Sequence, residues 1–311
     1  MRLNDFHKSI GLGSIVSNTR KLNKILRLAS FSPDFCFEKA ADKKGRIYFD
    51  RYKYLGAGFG VSVHGFRRWR VNKEGKNVEK HVVMDWGIFA NGHEDTNVSH
   101  AFVDTDASRL AYCFAEEVPT GNNFEFKISN SLEILEKYRS LKNHDAVVDF
   151  EASINKVNMA MLMIYGTILL PVVKNEEYQD FRMEEEALQK ELMARARQGD
   201  SEAQQSLHKM AAEQETDLRE RLSNEDLLSV FEGYFLNLAE KSGIFSVLAD
   251  ILTVEELTNE ASLERVFRLG VSVTDTKVTM YVSDKDLTGM PMVGMRIMGI
   301  GMLQGKILES R

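Results

Sequence analysis

Four consecutive residues, Arg67-Arg68-Trp69-Arg70, carry the densest recognition chemistry in the sequence. Three guanidinium forks beside an indole can pair with phosphates and stack on a base. Lys73 and Lys76 follow closely, so the candidate nucleic-acid-binding set is Arg67, Arg68, Trp69, Arg70, Lys73 and Lys76. The plainer alternative is a solvated strand end. A second cluster, His93, Glu94, Asp95, His100, Asp104 and Asp106, offers imidazole and carboxylate, ligands of first-row metals. Its two histidines lack the i, i+4 spacing of a helical zinc motif and the stretch reads as a loop, so no metal site is expected. Gly56, Gly58 and Gly60 read as a turn entering a strand, because no lysine and acidic partner follow at the spacing of a nucleotide loop. G-x-S-x-G, H-E-x-x-H, Walker-loop and C-x-x-C patterns are all missing. No catalytic residue and no cofactor is therefore expected, and the reading leans away from an enzyme.

The elements that would hold these residues follow from periodicity. Leu3 to Ile10 suits a short helix. Ser17 can cap a second one, with Leu22, Ile25, Leu26 and Ala29 on one face and Ser32-Pro33 at its end. Arg46–Phe49, Phe59–Trp69, His81–Ala90, Ala111–Phe114, Phe124–Ile128, Val147–Phe150 and Met159–Leu170 read as strands, with Leu132, Leu135 and Tyr138 on a helix. The period changes over 175–243. Leu188, Leu192 and Ala196 recur at helical spacing up to Gly199, and Asp200 can cap a further helix. Ser223 and Asp226 resemble a capping box, followed by an apolar stripe of Leu227, Phe231, Tyr234, Phe235 and Leu238.

The C-terminal block holds the clearest β pattern. Phe267, Leu269, Val271 and Val273 alternate with polar residues or glycine, as do Val278, Met280 and Val282, and the two runs read as a hairpin. Ile244–Thr253 precedes them and the glycine-spaced Arg296–Leu308 follows. The expected fold is α+β. It comprises a mixed α/β sheet domain over 1–174, an acidic helical segment over 175–243 and a small antiparallel β unit over 244–311. Glycine bends would let that last unit curl into a barrel of the OB type.

The linker from Ser283 to Gly294, with Asp286, Gly289, Pro291 and Gly294, continues through Arg296 and Gly299 to Gln304 and Gly305. The run resembles the C-terminal signature of an uncharacterised family of clostridial-type bacteria, domain of unknown function 3881. Ala194–Ala203, Ile168–Pro171 and His7–Gly11 resemble further family segments. The resemblance implies no activity, because the family has none assigned.

The net charge of −6 is unevenly spread. Residues 1–80 hold 18 Lys/Arg against 7 Asp/Glu, and residues 175–226 hold 7 against 15. Such asymmetry suits a polyanion partner or the docking of one segment on another. No apolar run approaches the roughly 20 residues that span a bilayer, so no membrane partner is expected. The N-terminus lacks a secretory apolar core, and Cys36 and Cys113 do not form a C-x-x-C pair, which together suggest a cytoplasmic protein. The leading expectation is a non-enzymatic binding or assembly protein with a protein partner or a second copy of itself. Nucleic-acid binding is the alternative, and an enzyme without a recognisable motif is the third reading.

Overall fold

The computed structural model describes residues 3–39, 41–105, 111–118, 120–171, 188–189, 191–197, 199–224 and 233–308. The chain divides into two compact units, one of residues 1–169 with 233–311 and one of residues 170–232. The fold class is α+β, as the sequence implies.

The first unit opens with a 3₁₀ helix, Leu3–Ile10, a single turn α1 (Gly13–Val16) and helix α2 (Thr19–Phe31). Asn18 caps α2 by accepting from the Arg20 and Lys21 amides. Ser17 does not, because its hydroxyl donates back to the Gly13 carbonyl. Strands β1 (Phe35–Glu38), β2 (Ile47–Gly56), β3 (Phe59–Val71) and β4 (Asn77–Ala90) form one antiparallel sheet in sequence order. The β3–β4 turn is closed by Asn72, whose side chain accepts from the Glu74 and Lys76 amides, and by Gly75 at φ 76°. Val61 and Val63 of β3 pack with Phe6, Ile10 and Ile25 of the N-terminal helices. Ser62 and His64 therefore point to the opposite face.

A second, ten-stranded sheet comprises β5 (Asp95–Thr105), β6 (Ala111–Glu117), β7 (Asn123–Ile128), β8 (Lys156–Leu169), β9 (Tyr234–Ala239), β10 (Ile244–Thr258), β11 (Arg265–Val273), β12 (Thr276–Ser283), β13 (Leu287–Thr288) and β14 (Arg296–Leu308). Helices α3 (Ser131–Ser140) and α4 (His144–Ser153) lie between β7 and β8 in sequence. Strands β8 and β14 pair antiparallel along their whole length, from Arg296↔Leu169 to Leu308↔Lys156. The remaining pairings close two rings that share this pair: β8–β12–β11–β10–β14 and β8–β5–β6–β7–β14. Five strands do form a ring with the C-terminal hairpin, but β8 completes it. The C-terminal block thus shares a sheet with β5–β8, where the sequence reading separates it at residue 244.

β8 explains why. Met159, Met161 and Met163 face one core cluster, while Ala160 and Leu162 face the other, so the strand is buried on both sides. A strand covered on both faces reads as a continuous apolar run. β14 must lie close against it, and glycine permits that: a Cβ at Gly301 would come 2.5 Å from the Met161 side chain of β8, and one at Gly305 would come 2.4 Å from the fully buried Phe126 ring of β7.

Three other expectations are corrected. The stretch around His93–Asp104 is largely strand β5. A register shift between Ser99 and Phe102, with His100 at φ 51°, interrupts the period-2 pattern that would reveal it. Val147–Phe150 lies inside α4, which Asn143 caps by accepting from the Ala146 amide. Tyr234–Ala239 is a strand because β10 offers it an edge and Phe235 packs 4.2 Å from Phe245. Tertiary context there overrides helical spacing.

In the second unit Asp200 caps helix Ser201–Asn224, accepting from the Glu202 and Ala203 amides, as its position predicts. This helix runs through Ser223, so no new helix begins there. Asp226, Leu227 and Phe231 lie outside the described residues.

Candidate functional site

The polar face of β2, β3 and β4 is covered around Asp50 and Ser62, while Asp85 stays exposed. Helix α3 and the ends of β7 and β14 close over it, leaving a cavity of ≈ 300 Å³. Asp50, His64 and Asp85 are successive cross-strand partners on this face. Nδ1 of His64 lies 2.6 Å from Oδ1 of Asp50. A carboxylate only accepts, so Nδ1 carries a proton, and in the neutral ring Nε2 is then the acceptor. The His64 side chain is 28 % exposed and Asp50 only 2 %, so the carboxylate holds the ring from behind. Ser62 stands two residues before His64 on the same face, roughly 6.6 Å along the strand at ~3.3 Å per residue.

The opposite wall is built by β7 and β14, which pair in parallel with Gln304 beside Lys127. Gln304 is buried, and its Nε2 donates to the Ile88 carbonyl at 3.2 Å. That bond turns Oε1 away, and Oε1 has no partner. Oδ2 of Asp50 has none either. Two buried acceptors without donors in the wall of one cavity are unusual, since each carries a desolvation penalty of about 1–3 kcal/mol. Burial pushes the Lys127 ammonium below its ordinary pKa, and Asp85 opposes that shift. Although part of the Lys127 side chain is accessible, its amine stands in poorly hydrated surroundings.

The rim is charged and ordered. Glu136 of α3 pairs with Lys39 at 2.5 Å and with Arg139 at 2.8 Å. Tyr48 lies at the rim, while Trp86, the cross-strand partner of Val63, stacks on His7 at 4.5 Å on the other face of the sheet. Buried carboxylate, oriented imidazole and amine converge here without any sequence motif. Other recesses have their charges largely met internally. Glu125 accepts from Asn237, Ser242 and Gly243, and Arg51 reaches Glu38 and His81.

The structure disperses the arginine cluster. Arg67 pairs with Glu38 and Glu79, at 2.8 and 2.6 Å. Trp69 is 61 % exposed and opposes Glu79 across the hairpin. Arg68 and Arg70 point to the other face, where Arg68 opposes Lys80. Lys76 pairs with Glu74 at 3.5 Å, and Lys73 is exposed in the turn. The indole and the two outer guanidinium groups therefore do not share a face. Among the described residues, no group of three or more His, Cys, Asp or Glu is placed to hold a metal. Asp106 lies outside them.

The C-terminal signature residues are mostly architectural. Gly289 and Gly294 take φ of 92° and 84°. Pro291 and Arg296 are buried, and Asp286 has its carboxyl pKa raised by burial. Gln304 alone reaches the cavity. Asp50, His64 and Lys127 escape sequence reasoning, because alternation with apolar residues makes them look solvent-facing, as Asp85 in fact is. The available signal was a polar Gln304 between the apolar, glycine-spaced run Ile297–Leu303 and Gly305.

A family model described as "Domain of unknown function, E. rectale Gene description (DUF3881)" matches residues 7–305. No curated protein and no solved structure matches the chain.

Proposed function

The chain belongs to the DUF3881 family, and we propose that it is an enzyme that binds a small polar molecule between the four-stranded sheet and α3 and moves a proton there. His64 is the base: its Nε2 takes the proton from the bound molecule, while Asp50 fixes the tautomer and stabilises the imidazolium that forms. Lys127 supports negative charge as it develops. The observation that carries this reading is the 2.6 Å Asp50–His64 contact on the wall of a cavity that also has Lys127 in its lining. It favours the third of the readings drawn from sequence over the first.

The test is consumption. Purified protein is incubated with a mixture of cellular small molecules and the mixture is profiled by mass spectrometry. A compound consumed by the wild type and spared by His64→Gln supports the reading. A profile that neither protein alters overturns it.

A protein partner or a second copy is the second reading. It rests on β9, the terminal strand of its sheet, which exposes Leu236 and Leu238. Such an edge can pair with another chain, and light scattering after size exclusion measures whether it does so with itself. A cytoplasmic location belongs to the same proposal. No helix among the described residues is long and apolar enough to cross a membrane.

A further inference from the structure

The charges around the cavity are not equally committed. Lys39 and Arg139 share Glu136 at its rim, and Asp50 holds His64. Lys127 stands apart from these pairs. Its neighbours Phe126 and Ile128 belong to the apolar core, so period-2 alternation turns Lys127 the other way, into the cavity lining. Among the described residues no hydrogen bond or ion pair holds its Nζ, and the charge that acts on it is that of Asp85, the cross-strand partner of His64. Asp50 Oδ2 and Gln304 Oε1 have no accessible surface, whereas the Lys127 side chain is partly exposed and can be reached from the cavity. Ile88, Leu132 and Leu135 add apolar lining, and burial favours the uncharged form of the amine. An uncharged amine is a nucleophile, and lysines desolvated in this way form imines with carbonyl compounds.

We propose that Lys127 forms an imine with a small aldehyde or ketone bound in the cavity, and that His64 carries the protons this requires. This rests on the reading that His64 is a base in this cavity, and it adds the substrate class and a covalent role for Lys127. The Nζ lone pair attacks the carbonyl carbon, and one Nζ proton passes through His64 to the oxygen, which becomes a hydroxyl. The C–O bond then breaks, and the hydroxyl leaves as water with the second Nζ proton as the C=N bond forms. One water is released and nothing is oxidised or reduced. When protonated, the imine draws electrons from the adjacent carbon, whose proton His64 can then remove. At ~30 Å³ per water the cavity of ≈ 300 Å³ admits on the order of ten non-hydrogen atoms.

The experiment is reductive trapping. The full chain is incubated at pH 7 with glyceraldehyde, hydroxyacetone or pyruvate, each with sodium cyanoborohydride, which reduces an imine to a stable secondary amine. Peptide mass spectrometry reads which lysines carry the label. With at least one probe, Lys127 is expected to be labelled at least about tenfold faster than the exposed Lys73, and His64→Gln should slow Lys127 by at least about tenfold. Labelling of Lys127 no faster than Lys73 with all three probes overturns the imine, and this comparison needs no variant. Fast labelling that a folded His64→Gln leaves unchanged overturns the part given to His64. A second arm separates this proposal from the one it rests on. Lys127→Arg keeps the positive charge but cannot form an imine, and it is incubated with the same mixture of cellular small molecules. If it consumes the compound that His64→Gln spares, the imine is overturned while His64 stands as the base. Loss of consumption in a folded Lys127→Arg, together with fast labelling of Lys127 in the wild type, supports the proposal.

Discussion

At the scale of single residues, His64 can serve as a base only because Asp50 is buried behind it. Removing the carboxylate charge with Asp50→Asn keeps the shape but frees the ring to present either nitrogen. Consumption of the substrate by the Asp50→Asn variant should fall by about 10²-fold or more, in line with what a positioned general base contributes. Lys127 offers a separate check. Its amine is held below the ordinary lysine value by burial, so at neutral pH more of it is uncharged and nucleophilic than at surface lysines. Limited acylation at pH 7 followed by peptide mass spectrometry should find Lys127 among the fastest-modified lysines. Modification slower than at exposed lysines such as Lys73 would show that its amine is either charged or shielded from the reagent. None of these residues stood out in the sequence. Asp50 sits among aromatic residues and His64 among valines, and period-2 alternation assigns both to a wet face. Only the chain segment that covers that face, α3, distinguishes a site from a surface, and sequence spacing does not report which face a distant helix covers.

At the scale of elements, the ion-pair network at the base of the β3–β4 hairpin sets an acid limit. Arg67, and then Arg51, hold the Glu38 carboxyl below the usual carboxylate range, and Arg67 with His81 does the same for Glu79. A depressed carboxylate pKa gives stability that is fully present above the unfolded value of about 4.3 and is lost as pH falls through the lower folded value. Glu38→Gln should therefore destabilise the protein at neutral pH by about 1–3 kcal/mol, since it takes the carboxylate from the buried Arg51, which keeps only the Ser30 carbonyl and His81, and from Arg67. The gap in thermal midpoint between variant and wild type should close as pH drops below about 4; a gap that stays constant with pH contradicts the assignment. The same pairing takes Arg67 out of any phosphate-binding face. A gel shift with single-stranded RNA at low salt is accordingly expected to give no complex at micromolar protein. A complex abolished by replacing Arg68 and Arg70 would instead make the hairpin's other face a binding surface. The hairpin itself was legible from alternation and from its polar turn. What alternation does not supply is the pairing partner, and Glu38 lies far from Arg67 in sequence.

At the scale of the whole molecule, β8 and β14 form the shared wall of two strand rings, and β14 also delivers Gln304 to the cavity. Fold and site are thus coupled through one strand. Gly305→Ala would drive a methyl into the Phe126 ring, which has no room to move, and should destabilise by about 1–3 kcal/mol in denaturant unfolding. Little or no change would mean that β14 shifts freely against β7. The α+β class, the α2 stop before Pro33, the β11–β12 hairpin and the Asp200 cap could all be read locally, because each depends on neighbours within a few residues. The joining of residues 244–308 to β5–β8 could not, since strand pairing across more than a hundred residues leaves no local trace. The apolar run of β8 was the nearest hint: a strand buried on both faces needs two partners. The most direct measurement of the central claim is a crystal structure of the full chain soaked with a small-fragment collection. The account predicts polar fragments between α3 and the β2–β4 face, within hydrogen-bond distance of the half-exposed His64 ring. Fragments that settle elsewhere, with only water in this cavity across the whole collection, would contradict it.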